Sequence, residues 1–222
     1  MDADLLRGGS RGSVDRPVSG KPPLLRSGEP SPPKPSQKRS IEKRARLLEA
    51  GRRIFGQKGY EAASIEEIAG RAGTAAGAFY QYFASKRQFL IVLMNELLEK
   101  LASLNLRPSG AGGIYEFLAA VFRADMEYWG VVRAWQEAAL SDPGLARMER
   151  RIEAWTDARV LGVFQLLAQQ PGVRNDYDLP AFAHMMNRHF WSLLARGPRL
   201  SRAEMDREIR LAADVIYHYL FR

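Results

Sequence analysis

Cysteine is absent from the sequence. That excludes disulfide scaffolds and zinc–thiolate centres, and it is compatible with a reducing compartment. Histidine is scarce. Two of the three, His184 and His189, are five positions apart, out of step for two ligands on one helical turn. No glycine-rich phosphate loop and no serine-nucleophile elbow occurs. The reading is therefore not an enzyme, with no metal and no cofactor. Long apolar runs are missing too: the longest, "FLIVLM" at 89–94, is far too short to span a bilayer. "MDADLLRGGS" at the start has no apolar stretch of signal-peptide type. The expectation is a cytoplasmic protein without a membrane partner.

What the chain has is an uneven charge. Its formal net charge is +8, and all of the excess lies early. Residues 1–39 carry 8 basic and 4 acidic side chains, residues 40–90 carry 9 and 5, and residues 91–222 carry 16 of each. A basic module joined to a neutral body is expected, and a polyanion is the natural partner for the basic part.

Residues 1–39 hold 7 of the 12 prolines and show no helical or strand period. They read as a disordered, basic, Pro/Gly-rich arm. The arm is either an inert tail or a phosphate-tracking segment using Lys34, Lys38 and Arg39. From residue 40 onward the pattern is helical. Ser40 is the expected cap of a helix over 41–58, with Ile41, Ala45, Leu48 and Phe55 on one stripe and Leu47 and Ile54 widening it. Ser64-x-x-Glu67, Ser85-x-x-Gln88 and Ser201-x-x-Glu204 are capping boxes, and Asp142-Pro143 is a cap followed by proline in the first turn. The body is expected to contain helices over 86–104, 114–140 with a kink at Gly130, 143–170, 179–197 and 202–222. No strand and no internal repeat is evident.

Two short helices joined by "AGT" have the geometry of a helix–turn–helix over about 65–83. A two-turn helix does not stand alone, so the flanking helices must brace it. Within this stretch, "SIEEIAGRAGTAAGAFYQYFASKRQFL" resembles the DNA-binding signature of the TetR family of transcriptional regulators. The matching residues are Ile68, Ala69, Ala72, Gly73, Gly77, Phe79, Tyr80, Tyr82, Phe83, Ser85 and Lys86. The resemblance covers about residues 41–93. It departs at Ala75, Ala76 and Ala78, where the family often carries hydroxyl or longer polar side chains, and this leaves Thr74 as a possible cap one residue early.

The resemblance implies an all-α fold. A three-helix DNA-binding domain (40–90) would precede a helical effector-binding and dimerisation domain (91–222). The expected DNA contacts are Ser64, Thr74, Ala75, Ala76, Gly77, Tyr80, Gln81, Tyr82 and Lys86. Lys86, at a helix start, suits a phosphate. Ser64 adds a neutral phosphate contact, the Tyr82 hydroxyl reaches the backbone, and Gln81 suits adenine. Half-buried packing is the other role open to Tyr80, whereas Phe79 and Phe83, four apart, read as core. All four tryptophans lie in the body. Phe122, Met126, Trp129, Trp155 and Trp191 are the expected lining of a pocket for a small apolar or aromatic effector; filling the bundle core is the alternative. Phe182, Met186, Phe190, Leu194, Ile209, Ile216 and Leu220 are expected to serve the core and a homodimer interface together. The function expected is a ligand-released repressor acting as a homodimer on a pseudo-palindromic, double-stranded DNA operator. The alternatives are an activator, an effector-independent regulator, or a helical adaptor without DNA binding.

Overall fold

The computed structural model describes residues 21–30, 32–33, 35–104, 108, 110–174 and 176–221. The expectations for residues 1–20 and Lys34 lie outside these. Among the described residues every regular element is helical: α1 (Lys38–Lys58), α2 (Ile65–Arg71), α3 (Ala76–Phe79), α4 (Lys86–Ser103), α5 (Gly110–Glu127), α6 (Trp129–Ser141), α7 (Pro143–Leu167), α8 (Leu179–Arg196) and α9 (Arg202–Phe221), with a 3-10 turn at Gly197–Arg199.

The helix starts follow local chemistry. At α2 the Ser64 hydroxyl accepts the Glu67 N–H at 3.1 Å, and the Glu67 carboxylate accepts the Ser64 N–H at 3.3 Å. Ser201 and Glu204 make the same reciprocal pair ahead of α9, at 3.2 and 2.8 Å. At α4 the Ser85 hydroxyl caps Gln88, but the Gln88 side chain reaches one residue further back, to the Ala84 N–H at 2.5 Å. Asp142 accepts from Gly144 and Leu145 to start α7. Each cap satisfies amides that have no partner inside the helix.

Three expectations about elements need correction. α1 begins at Lys38 with Gln37 at its cap, so Ser40 lies inside it; Ile41 and Ala45 are exposed, and the buried stripe is Leu47, Leu48, Ala50, Gly51, Ile54 and Phe55. The helix read over 114–140 is two helices that part at Tyr128, and α5 starts earlier, at Gly110, inside the expected break. Gly130 is therefore not a kink. It is a contact point: a Cβ there would lie 2.5–2.6 Å from backbone atoms of Arg52 and Gly56 on α1. Only glycine lets α6 press its backbone onto α1 this closely.

The third correction concerns the arm. Residues 24–29 lie against α4 and do not form a free tail. Leu25 is 2% exposed. Its amide and carbonyl are both bonded by the Asn95 side chain, at 3.1 and 3.0 Å. Arg87 donates to the Ser27 carbonyl at 2.9 Å, and the Ser85 hydroxyl donates to Glu29 at 2.6 Å. The pair Leu24-Leu25 in a proline-rich stretch gives no periodic signal, but one amide side chain that matches two backbone groups of Leu25 is enough to seat it.

The core has two centres. One joins α1–α4 to α6 and the start of α7; the other joins α5, the end of α7, α8 and α9. α7 contributes to both, through Leu145 and Ile152 to the first and Val163, Phe164 and Leu167 to the second, and the first alone contains α6. α6 packs along α1, and its Glu137 carboxylate accepts the Tyr60 and Glu61 amides at 2.8 and 3.1 Å, clasping the α1–α2 loop. Those two amides hold the Glu137 carboxyl below the usual glutamate range.

Candidate nucleic-acid interface and ligand cavity

α3 is a single turn with few polar atoms. Ala75 precedes it without any side-chain cap, so Thr74 does not cap it. What holds the turn is aromatic. Phe79 and Phe83 are fully buried and meet Phe89 of α4, with ring centroids 4.6 to 5.2 Å apart across the trio. The turn before α3 depends on Gly73, whose φ of +69° is left-handed. Arg46 of α1 donates to the Ala72 carbonyl in that turn at 3.3 Å.

With its aromatic side inward, α3 presents its other side outward. Ala75, Gly77, Tyr80 and Gln81 are exposed, and Thr74 and Ala76 are half-buried. Tyr80 is 53% exposed, with its ring edge-on to Phe79 at 5.6 Å, so it both packs and projects. A Cβ on Gly77 would meet nothing within 4 Å. The protein itself therefore does not require glycine there.

The Tyr82 hydroxyl is 2.9 Å from the Ser40 hydroxyl, which pins the end of this segment to the first turn of α1. That turn is basic. Lys38 and Arg39 are exposed and Lys43 half-exposed, and among the described residues none of the three has a carboxylate within ion-pair distance. Sequence reasoning included Lys38 and Arg39 in the arm but missed Lys43 and Arg46. Helical spacing from Arg39 was the available signal, obscured by placing the helix start at Ser40.

Lys86 lies elsewhere than expected. Its ammonium donates to the Tyr60, Glu61 and Ala63 carbonyls at 2.8, 3.3 and 3.0 Å and sits 4.5 Å from the Tyr60 ring centre. All three of its N–H groups are engaged by the α1–α2 loop, so it acts as a clamp. Its neighbour Arg87 makes a second clamp, donating to Asp142 at 2.5 Å and so joining the start of α4 to the cap of α7. The Arg87 hydrogen bond holds the Asp142 carboxyl down at about 2. Ser64 spends its hydroxyl on its own capping box and remains half-exposed at the start of α2.

The body encloses a cavity of about 480 Å³. Phe122, Trp155 and Trp191 line it, together with Trp135, Phe117 and Phe190. Met126 and Trp129 do not. Met126 lies against Gly197, and Trp129 turns toward the first core and stacks with Arg133. Trp129 lies past the break at Tyr128, which removes its register with Phe122, whereas Met126 shares α5 with Phe122 but has its sulfur against Gly197. The lining is also less apolar than expected, because Asp125, Gln136, Glu149, Asp157, Arg159 and Asn187 contribute to it. Burial alone pushes the Asp125 carboxyl up to about 7.

The residues expected at a subunit interface are mostly spent inside the subunit. Phe182, Met186, Leu194, Ile209, Ile216 and Leu220 are buried, and Phe190 faces the cavity. Phe182, for example, stacks on Tyr219 at 3.7 Å and on Phe164 at 5.5 Å. The apolar side chains left exposed on these two helices are Met185, Leu211 and Val215, at 53, 60 and 42%. Among the described residues no helix is long and apolar enough to cross a membrane.

Residues 47–93 match the family model for bacterial regulatory proteins of the tetR family. The chain is 37% identical over 71 residues to the uncharacterised HTH-type transcriptional regulator YuxN of Bacillus subtilis (31% of this chain, 24% of that protein). It is 36% identical over 72 residues to the HTH-type transcriptional repressor KstR of Mycolicibacterium smegmatis (32% and 35%), and 37% identical over 62 residues to the HTH-type transcriptional activator FasR of the same species (28% of each). The chain thus spans a quarter to about a third of the length of these curated relatives. In fold the likeness extends further. A TetR-family regulator from Mesorhizobium loti superposes with a TM-score of 0.60 at 21% identity, over 84% of this chain and all of that one. A transcriptional regulator from Saccharomonospora viridis, solved in complex with choline, gives 0.63 at 18%, over 82% and 98%. Residues 47–93 are thus similar to the tetR family of bacterial regulatory proteins, and the helical fold around them is shared with solved regulators of that kind.

Proposed function

We propose that the protein is a homodimeric DNA-binding repressor whose operator affinity falls when a small molecule occupies the body cavity. The observation that carries the DNA reading is the outward side of α3: exposed, uncharged and small at Ala75 and Gly77, and flanked by the unpaired cations Lys38, Arg39 and Lys43. Small residues allow a close approach to a groove floor, and cations beside them meet phosphates. Thr74, Tyr80, Gln81 and the Tyr82 hydroxyl supply the polar atoms, with Ala76 and Ser64 at the margin. With so few hydrogen-bonding side chains, thymine methyl contacts and DNA shape carry much of the selectivity.

Dimerisation is assigned to α8 and α9 through Met185, Leu211 and Val215, the apolar groups their own subunit leaves uncovered. A two-fold axis there would set two copies of α3 on successive major-groove turns, about 34–36 Å apart. Small-molecule control is supported by the cavity and by the choline complex of a protein with the same fold. The coupling route is α4 and α6. Both line the cavity; Lys86 on α4 and Glu137 on α6 hold the loop ahead of α2. An effector acts by binding one arrangement of these helices better than the other. An activator remains the second reading, favoured by the similarity to FasR.

Selection of bound fragments from random duplex DNA with the full chain tests the DNA reading. A two-fold symmetric consensus is expected. Gly77→Glu, whose side chain enters open space, should leave thermal unfolding unchanged and abolish enrichment. Failure of the native chain to enrich any sequence, or undiminished enrichment by Gly77→Glu, contradicts the assignment.

A further inference from the structure

The polar part of the cavity lining has one sign in excess. Asp125 stands on α5 one turn beyond Val121 and Phe122, and all three line the cavity. Among the described residues its carboxyl accepts no hydrogen bond and pairs with no cation. Burial raises its pKa with no neighbouring charge to oppose the rise. A desolvated acid with no partner is costly to the apo protein and marks a place where a ligand can supply what is missing. Trp135 also lines the cavity, and its indole N–H is buried without an acceptor.

The other ionisable groups of the cavity come from α7 and α8; α4 and α6 add none. On α7, Glu149 and Glu153 are one turn apart, and burial together with Glu153 raises the Glu149 carboxyl. Asp157 accepts from Asn187 at 2.5 Å and lies 3.7 Å from His184. Arg159 is committed to the chain itself, donating to the Leu101 and Leu104 carbonyls at 2.6 and 3.0 Å. Arg188 is on an exposed part of α8. Four carboxyl groups thus face two guanidinium groups, one of them already occupied. Phe122, Trp155 and Trp191 line the same cavity, the Arg159 guanidinium lying over the Trp155 ring at 5.6 Å, and aromatic faces attract cations and repel anions.

We infer that the cavity takes an amphipathic organic cation, its positive nitrogen held by Asp125 and the aromatic faces and its apolar part filling the space lined by α4. The inference rests on the reading of this cavity as an effector site. Its volume is in the range of small-molecule sites. Occupation by a cation favours the ionised form of Asp125, so binding near neutral pH releases a proton and strengthens as pH rises through about 7. An anionic amphiphile would have to turn Arg159 away from the end of α4 and would meet Glu149 and Glu153.

Three probes with one chain length separate the possibilities: decyltrimethylammonium, decanol and decanoate, titrated into the full chain with tryptophan fluorescence as the readout. Three of the tryptophans line the cavity. The cation is expected to bind at least about tenfold more tightly than the alcohol, as a charge-assisted contact requires, with decanoate weakest. Between pH 6 and pH 8 the cation should gain affinity in the native protein and not in Asp125→Asn, which keeps every other ionisable group of the cavity. Asp125→Asn should also bind cation and alcohol alike. Tightest binding by decanoate, or equal binding of cation and alcohol by the native protein, overturns the inference while leaving a ligand cavity in place. Binding of none of the three removes the effector reading itself and this inference with it.

Discussion

Lys86 is where residue type and residue role part company. A lysine at a helix start in a basic module has the chemistry of a phosphate contact. Here its three N–H groups meet three carbonyls of the α1–α2 loop. Nothing local announces this, because the loop is 23 to 26 residues away in the chain. The free cations are instead on the first turns of α1. Lys86→Ala should therefore lower stability by about 1–2 kcal/mol in denaturant unfolding, the order of a lost charged hydrogen-bond set. The salt dependence of DNA binding should keep its slope. A slope reduced by about one ion per subunit with stability unchanged would return Lys86 to the phosphate contacts. Other residues were legible because their role is set within a few positions: Ser64 with Glu67, Ser201 with Glu204, and Phe79 with Phe83.

At the scale of elements, the helices were readable from caps and apolar spacing, and the failures have physical causes. The helix over 114–140 looked continuous because its apolar pattern runs through Tyr128 without proline. The break separates two helices with different partners, α5 on α9 and α6 on α1. Gly130 looked like a kink residue because glycine weakens helices, and a close tertiary approach leaves the same trace in a sequence. Gly130→Ala places a Cβ 2.5–2.6 Å from α1 backbone, which no side-chain rotation relieves. It should destabilise by about 2 kcal/mol or more, whereas Gly70→Ala, in open space on α2, should be neutral or slightly stabilising. Thermal unfolding of the two variants checks this. Equal effects would mean that the close approach of α6 to α1 adds nothing particular to the first core centre.

For the whole molecule, the charge count anticipated a basic end and a neutral body, but not their joining. The two parts meet through α4 and α6, and residues 24–29 lie along α4 as well. These connections involve one glycine, one glutamate, one asparagine and a lysine, and none forms a periodic pattern. Interface residues were misassigned for a related reason. Spacing shows that a helix has an apolar face but not which neighbour covers it, and α8 and α9 spend theirs on α5 and α7. The cavity's aromatic side was visible in the tryptophan-rich body; its acid was not, since a lone Asp125 resembles any surface aspartate until the helices close around it. The account makes one claim that depends on the whole assembly, that two chains place two copies of α3 on one symmetric site. Fluorescence anisotropy titration of the full chain onto the selected duplex, and onto the same duplex with one half-site scrambled, tests it directly. The prediction is two chains per intact duplex and at least about tenfold weaker binding to the scrambled one, since losing one set of base contacts costs several kcal/mol before compensation. One chain per duplex, with equal affinity for both, would contradict it.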